Sequence, residues 1–207
     1  LSDLVDGHRN LKDYRIVAFP GGFSFGDHIA SGRVLAVKVQ ARLGDQLQAS
    51  VAGGALVIGI CNGFQVLVEA HLLPGGLIRN EHQHFICRDQ KLIVENAYTP
   101  WTRGFTPGQE ITIPLKNGEG GYIASAETLK MLEAENRVVF RYLDVNPNGS
   151  MNDIAGLTNE RGNVVGLMPH PEHATEAGFG PDTDIATRSG VDGLKFFQSV
   201  LKALVNA

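Results

Sequence analysis

Residues Ala55 to Ile60 (ALVIGI) are apolar at every position, with no polar residue on either alternating face. A strand wetted on one side alternates. A short, β-branched run without alternation belongs inside a sheet that is covered on both faces, and such sheets are built from parallel strands joined by helices. The surrounding pattern agrees. Arg15 to Phe19 (RIVAF) reads as a strand that stops at Pro20-Gly21-Gly22, Ile29 to Leu43 as a helix, and Phe64 to Leu73 as another, so the first half is made of βα units.

The middle changes character. Lys91 to Asn96, Glu110 to Leu115 and Val138 to Tyr142 are strand-like, with turns at Thr106-Pro107-Gly108 and Asn146-Pro147-Asn148-Gly149 and a helix over Ala126 to Glu135. Ile154 to Thr158 and Val164 to Met168 flank a polar turn as a hairpin would, and Val191 to Val205 is a closing amphipathic helix. The expected fold is α/β in three layers, a largely parallel central sheet with helices on both faces (flavodoxin-like) plus a smaller antiparallel strand set. At 207 residues and 43% hydrophobic the chain can bury a full core, and a single domain over 1–207 is the expectation.

Composition removes several functions. Eighteen Lys and Arg against 22 Asp and Glu give a net charge of -4 with no basic stretch, so no nucleic-acid partner is expected. The longest apolar run, Val51 to Cys61, is well short of the roughly 20 residues that cross a bilayer, so no membrane partner is expected either. Two cysteines do not make a disulfide framework, and free thiols imply a reducing compartment, hence the cytoplasm. The chain opens at Leu1 without an initiator Met, which leaves a removed targeting segment open.

The chemistry concentrates at Gly59-Ile60-Cys61-Asn62-Gly63, between the buried strand and a helix. This is the nucleophile-elbow pattern with sulfur in place of oxygen. A sharp strand-to-helix turn lifts the side chain out of the sheet, and flanking glycines avoid the collision that a Cβ would make. At a helix N-terminus, unpaired N–H groups favour a thiolate and can hold an oxyanion. Asn62 would supply one backbone donor, and the Pro20-Gly21-Gly22 turn a second, with Gly22 preferred over Gly21. Cys87, in Phe85-Ile86-Cys87-Arg88, has no such turn and is expected to be a buried strand thiol.

A thiolate needs a proton carrier for a leaving amine, and Met168-Pro169-His170-Pro171-Glu172 offers one. In an extended segment His170 and Glu172 share a side, so Glu172 can orient the imidazole while its other nitrogen faces Cys61. Prolines 169 and 171 stiffen the segment. His82, His84, His170, Glu172 and His173 could instead gather round an ion, but their spacings match no helical ligand pair, and no metal is expected; His82 and His84 read as surface residues. PGGFSFGD lacks the spacing and the lysine of a phosphate-binding loop.

An elbow of the form G-x-C-x-G-x-Q, extending here through Gln65, with a distant His-Pro-Glu resembles the class I, or triad, glutamine amidotransferases. PGGFSFGD, GICNGFQVL, LLPGGLIRN, FICR, FRYLDVNPNGSMNDIAGLTNERGNVVGLMPHPE and DGLKFF are similar to the small glutaminase subunits of phosphoribosylformylglycinamidine synthases, and together they span the chain from about Tyr14 onward. That resemblance implies a step of purine biosynthesis in which ammonia from L-glutamine makes formylglycinamidine ribonucleotide while a synthetase subunit consumes ATP. It assigns Cys61 as nucleophile through a glutamyl thioester, His170 as base and acid, Glu172 as its orienter and Gln65 as part of the glutamine pocket.

The same resemblance implies no cofactor in this chain, with ATP and magnesium on the partner, a large synthetase subunit and a small accessory subunit beside it. Two departures stand out. Such subunits begin with another strand and helix, and this sequence starts after the point where they would end. Where they carry His-Gly-Glu-Gly-Arg-Tyr, this sequence has Asn117-Gly118-Glu119-Gly120-Gly121-Tyr122, changing two side chains near the expected pocket rim. Ser24, Phe25, Asp27 and His28 are candidates for shaping the ammonia route. A stand-alone γ-glutamyl hydrolase or cysteine peptidase of the same fold, and a non-catalytic scaffold subunit, remain as alternatives.

Overall fold

A computed structural model describes residues 1–26, 30–178, 180–182 and 190–205. Seven strands form one sheet in the order β1-β2-β9-β8-β7-β4-β5. β1 (Ile16–Phe19), β2 (Leu56–Ile60) and β9 (Val164–Leu167) are mutually parallel, and β8 (Ile154–Thr158), β7 (Val138–Tyr142), β4 (Ile86–Val94) and β5 (Glu110–Asn117) continue the sheet by antiparallel pairings. The α/β class and the β8–β9 hairpin are as the pattern predicts. The antiparallel strands extend the main sheet rather than standing apart from it, and a separate pair, β3 (Gly76–Ile78) with β6 (Gly121–Ile123), lies outside it.

All five residues of β2 are buried, as a strand covered on both faces requires. On one face α3 (Asn62–Glu69) lies over the parallel strands: a Cβ on Gly166 would strike the ring of Phe64. The next residue, Leu167, points to the opposite face and lines a cavity with Phe105, Phe140 and Phe196 of α5 (Leu194–Val205). Phe196 stacks on Trp101 at 5.3 Å, so both faces are closed by aromatic packing, each ring contributing about 2–3 kcal/mol of burial.

α2 (Arg33–Ala52) runs nine residues past its expected end. Its buried set Ala36, Val39, Leu43, Leu47 and Ser50 keeps helical spacing straight through Gly44, whose cost of about 1 kcal/mol is smaller than that of exposing Leu47. The expected start at Ile29 lies outside the described residues. α1 (Ser2–Val5) precedes β1, and α4 (Ala126–Ala134), capped by Ser125 Oγ on Thr128 N, matches its prediction within one residue.

Cys87 corrects the sequence expectation. It lies on β4, but it is exposed: β4 begins at the buried Ile86, and the next residue, Cys87, points to the opposite, outward face. Backbone pairing with β5, running from Ile86↔Asn117 to Ile93↔Glu110, extends the strand beyond its hydrophobic part. Among the described residues no helix is long and apolar enough to cross a membrane.

Candidate active site

β2 ends at Ile60 and α3 begins at Asn62, so a single residue turns the chain from strand to helix. That residue is Cys61, at φ +52 and ψ -106, a conformation costing a non-glycine residue roughly 1–3 kcal/mol and held only where the surroundings enforce it. The glycines explain how the elbow closes. A Cβ on Gly59 would meet Gly63 O at 2.5 Å, and one on Gly63 would run into the carbonyl of Phe19. Cys61 N donates to Leu167 O at 2.8 Å, tying the elbow to β9, the strand that leads to His170.

After β9 the chain enters a single 3-10 turn, Pro171–His173, closed by His173 N on His170 O at 3.0 Å. Sequence reasoning expects an extended segment here. Pro171 at the first turn position loses no bond by lacking an N–H, while it keeps His170 outside the helical region at φ -106 and ψ 84. The turn serves the same end: His170 Nδ1 and Glu172 Oε1 are 2.6 Å apart. His170 N also donates to Pro114 O at 2.8 Å, which docks the turn on β5.

Thiol-bearing residue and imidazole flank the same glycine. A methyl group placed on Gly21 would lie 2.7 Å from His170 Cε1 and 3.5 Å from Cys61 Cβ, so loop, base and thiol converge on one point. His170 is 6% exposed, and its Nε2 has no hydrogen-bond partner among the described residues. Burial alone would lower the imidazole pKa, but the proximity of Cys61 and the bonded Glu172 carboxylate outweigh it and raise it to about 9. Burial likewise works against the Glu172 carboxylate, yet the His170 imidazolium holds its pKa below the ordinary value.

The other expected residues fall as follows. Asn62 is the first residue of α3, where a backbone N–H has no partner within the helix. Gly21 is the glycine pressed against His170 and Cys61, whereas a Cβ on Gly22, at φ +134, would meet open space. Gln65 is buried with both amide atoms engaged, accepting from Asn62 Nδ2 at 2.9 Å and donating to Glu119 O at 2.7 Å. Asn117 is buried with neither amide atom hydrogen-bonded among the described residues, and Gly121 is buried on β6, where an added Cβ would meet Asn148 O. Ser24 bonds the Asn62 side chain and Phe25 lies under Lys38 Nζ at 4.0 Å, while Asp27 and His28 are outside the described residues.

One participant carries no sequence signal. Cys61 Sγ donates to the carbonyl of Lys116 at 3.3 Å, a backbone contact that any residue type could make. His173 stacks on His170 at 5.0 Å between ring centroids, with Lys116 Nζ 3.1 Å from its Nδ1. The ligand-capable atoms of His170, Glu172 and His173 lie within 4.8 Å of one another. His170 and Glu172 are already joined directly and a lysine stands beside His173, an arrangement of charge suited to a proton rather than a metal cation. His82 and His84 are exposed and lie outside that group. A cleft of about 770 Å³ between Tyr14, Gln46, Leu56 and Leu204 adjoins the amino end of β2 and holds none of the candidate residues.

The family model for the CobB/CobQ-like glutamine amidotransferase domain matches residues 1–202. The chain belongs to that family. Relatives of this amidotransferase domain include the phosphoribosylformylglycinamidine synthase subunit PurQ of Leifsonia xyli, 60% identical over 97% of this chain and 85% of the relative. PurQ of Streptomyces coelicolor is 58% identical over 96% and 84%. Among solved structures, PurLQS from Thermotoga maritima superposes with a TM-score of 0.78 at 41% identity, covering 95% of this chain and 82% of that one. The glutaminase domain of Trypanosoma brucei CTPS, with bound acivicin, shares the fold at a TM-score of 0.52 and 9% identity, covering 97% and 75%.

Proposed function

We propose that this amidotransferase domain is the glutaminase subunit of a phosphoribosylformylglycinamidine synthase, hydrolysing L-glutamine at Cys61 and passing ammonia to a synthetase subunit in purine biosynthesis. The observation that carries the reading is the convergence of Cys61, His170 and Gly21 on one point, with Glu172 bonded to the far side of the imidazole. The names of the relatives supply the pathway. ATP and magnesium belong to the synthetase, and the name PurLQS supports a large partner and a small accessory subunit. Two free cysteines fit a cytoplasmic enzyme.

In the mechanism, His170 takes the Cys61 proton and the thiolate attacks the carboxamide carbon of glutamine. The carbonyl electron pair moves to oxygen, facing the N–H of Asn62 and the backbone of the Gly21-Gly22 turn. The imidazolium then gives its proton to the amide nitrogen, the C–N bond breaks and ammonia departs, leaving a thioester. Water attacks that thioester, yielding its proton to His170, and collapse of the second tetrahedral species releases glutamate and returns the sulfur. Glu172 holds the imidazole orientation and stabilises its charge throughout.

The test is glutamine hydrolysis measured with and without the synthetase, together with mass spectrometry after a glutamine-like electrophile. A subunit gated by its partner gives slow turnover alone, a marked increase in the complex and an adduct on Cys61. Full activity alone identifies a stand-alone hydrolase, and no adduct identifies a scaffold.

A further inference from the structure

Asn62 directly follows the nucleophile and is 4% exposed. Its Oδ1 accepts from Ser24 Oγ at 2.6 Å and from Ser24 N at 3.2 Å, and its Nδ2 donates to Gln65 Oε1 at 2.9 Å. Gln65 Nε2 passes the connection to Glu119 O at 2.7 Å, and Glu119 Oε2 accepts from Ser31 N at 3.1 Å. One chain of hydrogen bonds therefore ties the glycine loop, the first turn of α3 and the segment after β5.

Resting on the glutaminase reading above, we infer that Ser24 and Asn62 are positioning residues, a strut that sets the separation of the two halves of the oxyanion hole. The loop needs an external tie. Gly22, Phe25 and Gly26 have φ of +134, +61 and +68, so no regular structure fixes its approach to Cys61. Asn62 carries on one residue both the N–H facing the oxyanion and the carbonyl that grips Ser24, so a shift of the loop is felt at the donor. An amide is the group that can do this: its oxygen accepts twice from the loop while its nitrogen donates to Gln65. Aspartate would offer a second acceptor to Gln65 Oε1 and add a negative charge beside a thiolate.

Ser24 is partly exposed on a loop, so its variants keep the core intact. The experiment compares wild type, Ser24→Ala, Ser24→Thr and Cys61→Ala in complex with the synthetase, reading kcat and KM for glutamine and, separately, the rate at which iodoacetamide alkylates Cys61. Alkylation requires the thiolate but builds no oxyanion. The expected result for Ser24→Ala is a kcat lowered about tenfold or more, a KM within about twofold and unchanged alkylation, with Ser24→Thr restoring most of the rate. Unchanged kcat, a parallel fall in alkylation, or no recovery in Ser24→Thr overturns the strut while the glutaminase reading stands. An inactive wild type, or an active Cys61→Ala, overturns the glutaminase reading and the strut with it.

Discussion

Cys61 Sγ donates a hydrogen bond to the main-chain carbonyl of Lys116 at 3.3 Å, although Cys61 follows β2 and Lys116 lies on β5, with four strands between them in the sheet. In a flat sheet that separation is about 24 Å. The sheet must therefore curl until its antiparallel edge reaches the carboxyl ends of its parallel strands, and Pro114 O, which accepts from His170 N, marks the same closure. The βα half supplies the nucleophile and the antiparallel half the wall against which nucleophile and base are set.

The Gly21→Ala variant tests how closely that wall and the loop confine the base. Its Cβ would lie 2.7 Å from His170 Cε1, and neither the buried imidazole nor its 2.6 Å bond to Glu172 has room to yield. Glutaminase kcat is expected to fall about 100-fold or more, since displacing a reacting group by about 1 Å costs that much. Thermal unfolding is expected to report a loss of about 1–3 kcal/mol. A variant with wild-type kcat would show that the loop stands farther from the base.

Lys116→Ala separates the backbone role of this residue from its side chain. The carbonyl facing Cys61 remains, so thiol alkylation is expected to persist. The partner 3.1 Å from His173 Nδ1 is lost. Burial lowers the His173 pKa first, and the positive charges of Lys116 and His170 lower it further against the pull of Glu172. Removing the lysine is expected to raise the His173 pKa, readable by NMR titration of the ring protons.

The two cysteines are expected to differ by access. Cys87 is exposed on β4 and Cys61 is buried at the elbow. A bulky polymer-linked maleimide is expected to label Cys87 alone in the folded chain, whereas a small glutamine-like electrophile labels Cys61. Mass spectrometry of each adduct decides it, and polymer on Cys61 would mean that the elbow is open to solvent.

The parts legible in sequence are those whose cause is local. Leu56 to Ile60 announces its burial by the absence of alternation, the elbow announces itself because its glycines sit where a Cβ would strike Gly63 O and Phe19 O, and the β8–β9 hairpin is read from its turn. The exposure of Cys87 is not legible locally, because the start and facing of β4 are set by its ladder with β5, a partner distant in sequence. The β3–β6 pair escaped because three-residue strands carry almost no pattern. Lys116 O and Glu119 O had no signal at all, since a carbonyl is the same on every residue. Of the glycine turn, sequence prefers Gly22 as an oxyanion donor, while it is at Gly21 that an added Cβ would meet His170 and Cys61.

The coupling of His170 to Cys61 and Glu172 fixes how stability must vary with pH. The imidazole pKa is raised from 6.5 to about 9, so its contribution is complete below about 6.5 and is lost as pH rises through about 9. The Glu172 pKa is depressed, so its contribution is present above 4.5 and is lost as pH falls below that value. Between about 4.5 and 6.5 both are in force. The denaturant midpoint of the wild type is thus expected to decline from pH 6.5 to 10 relative to His170→Asn, by a difference on the order of 2–3 kcal/mol. The neutral amide has no proton to lose over that range, so its own curve lacks this decline. Two parallel curves would show that the imidazole is not held in its charged form by its neighbours.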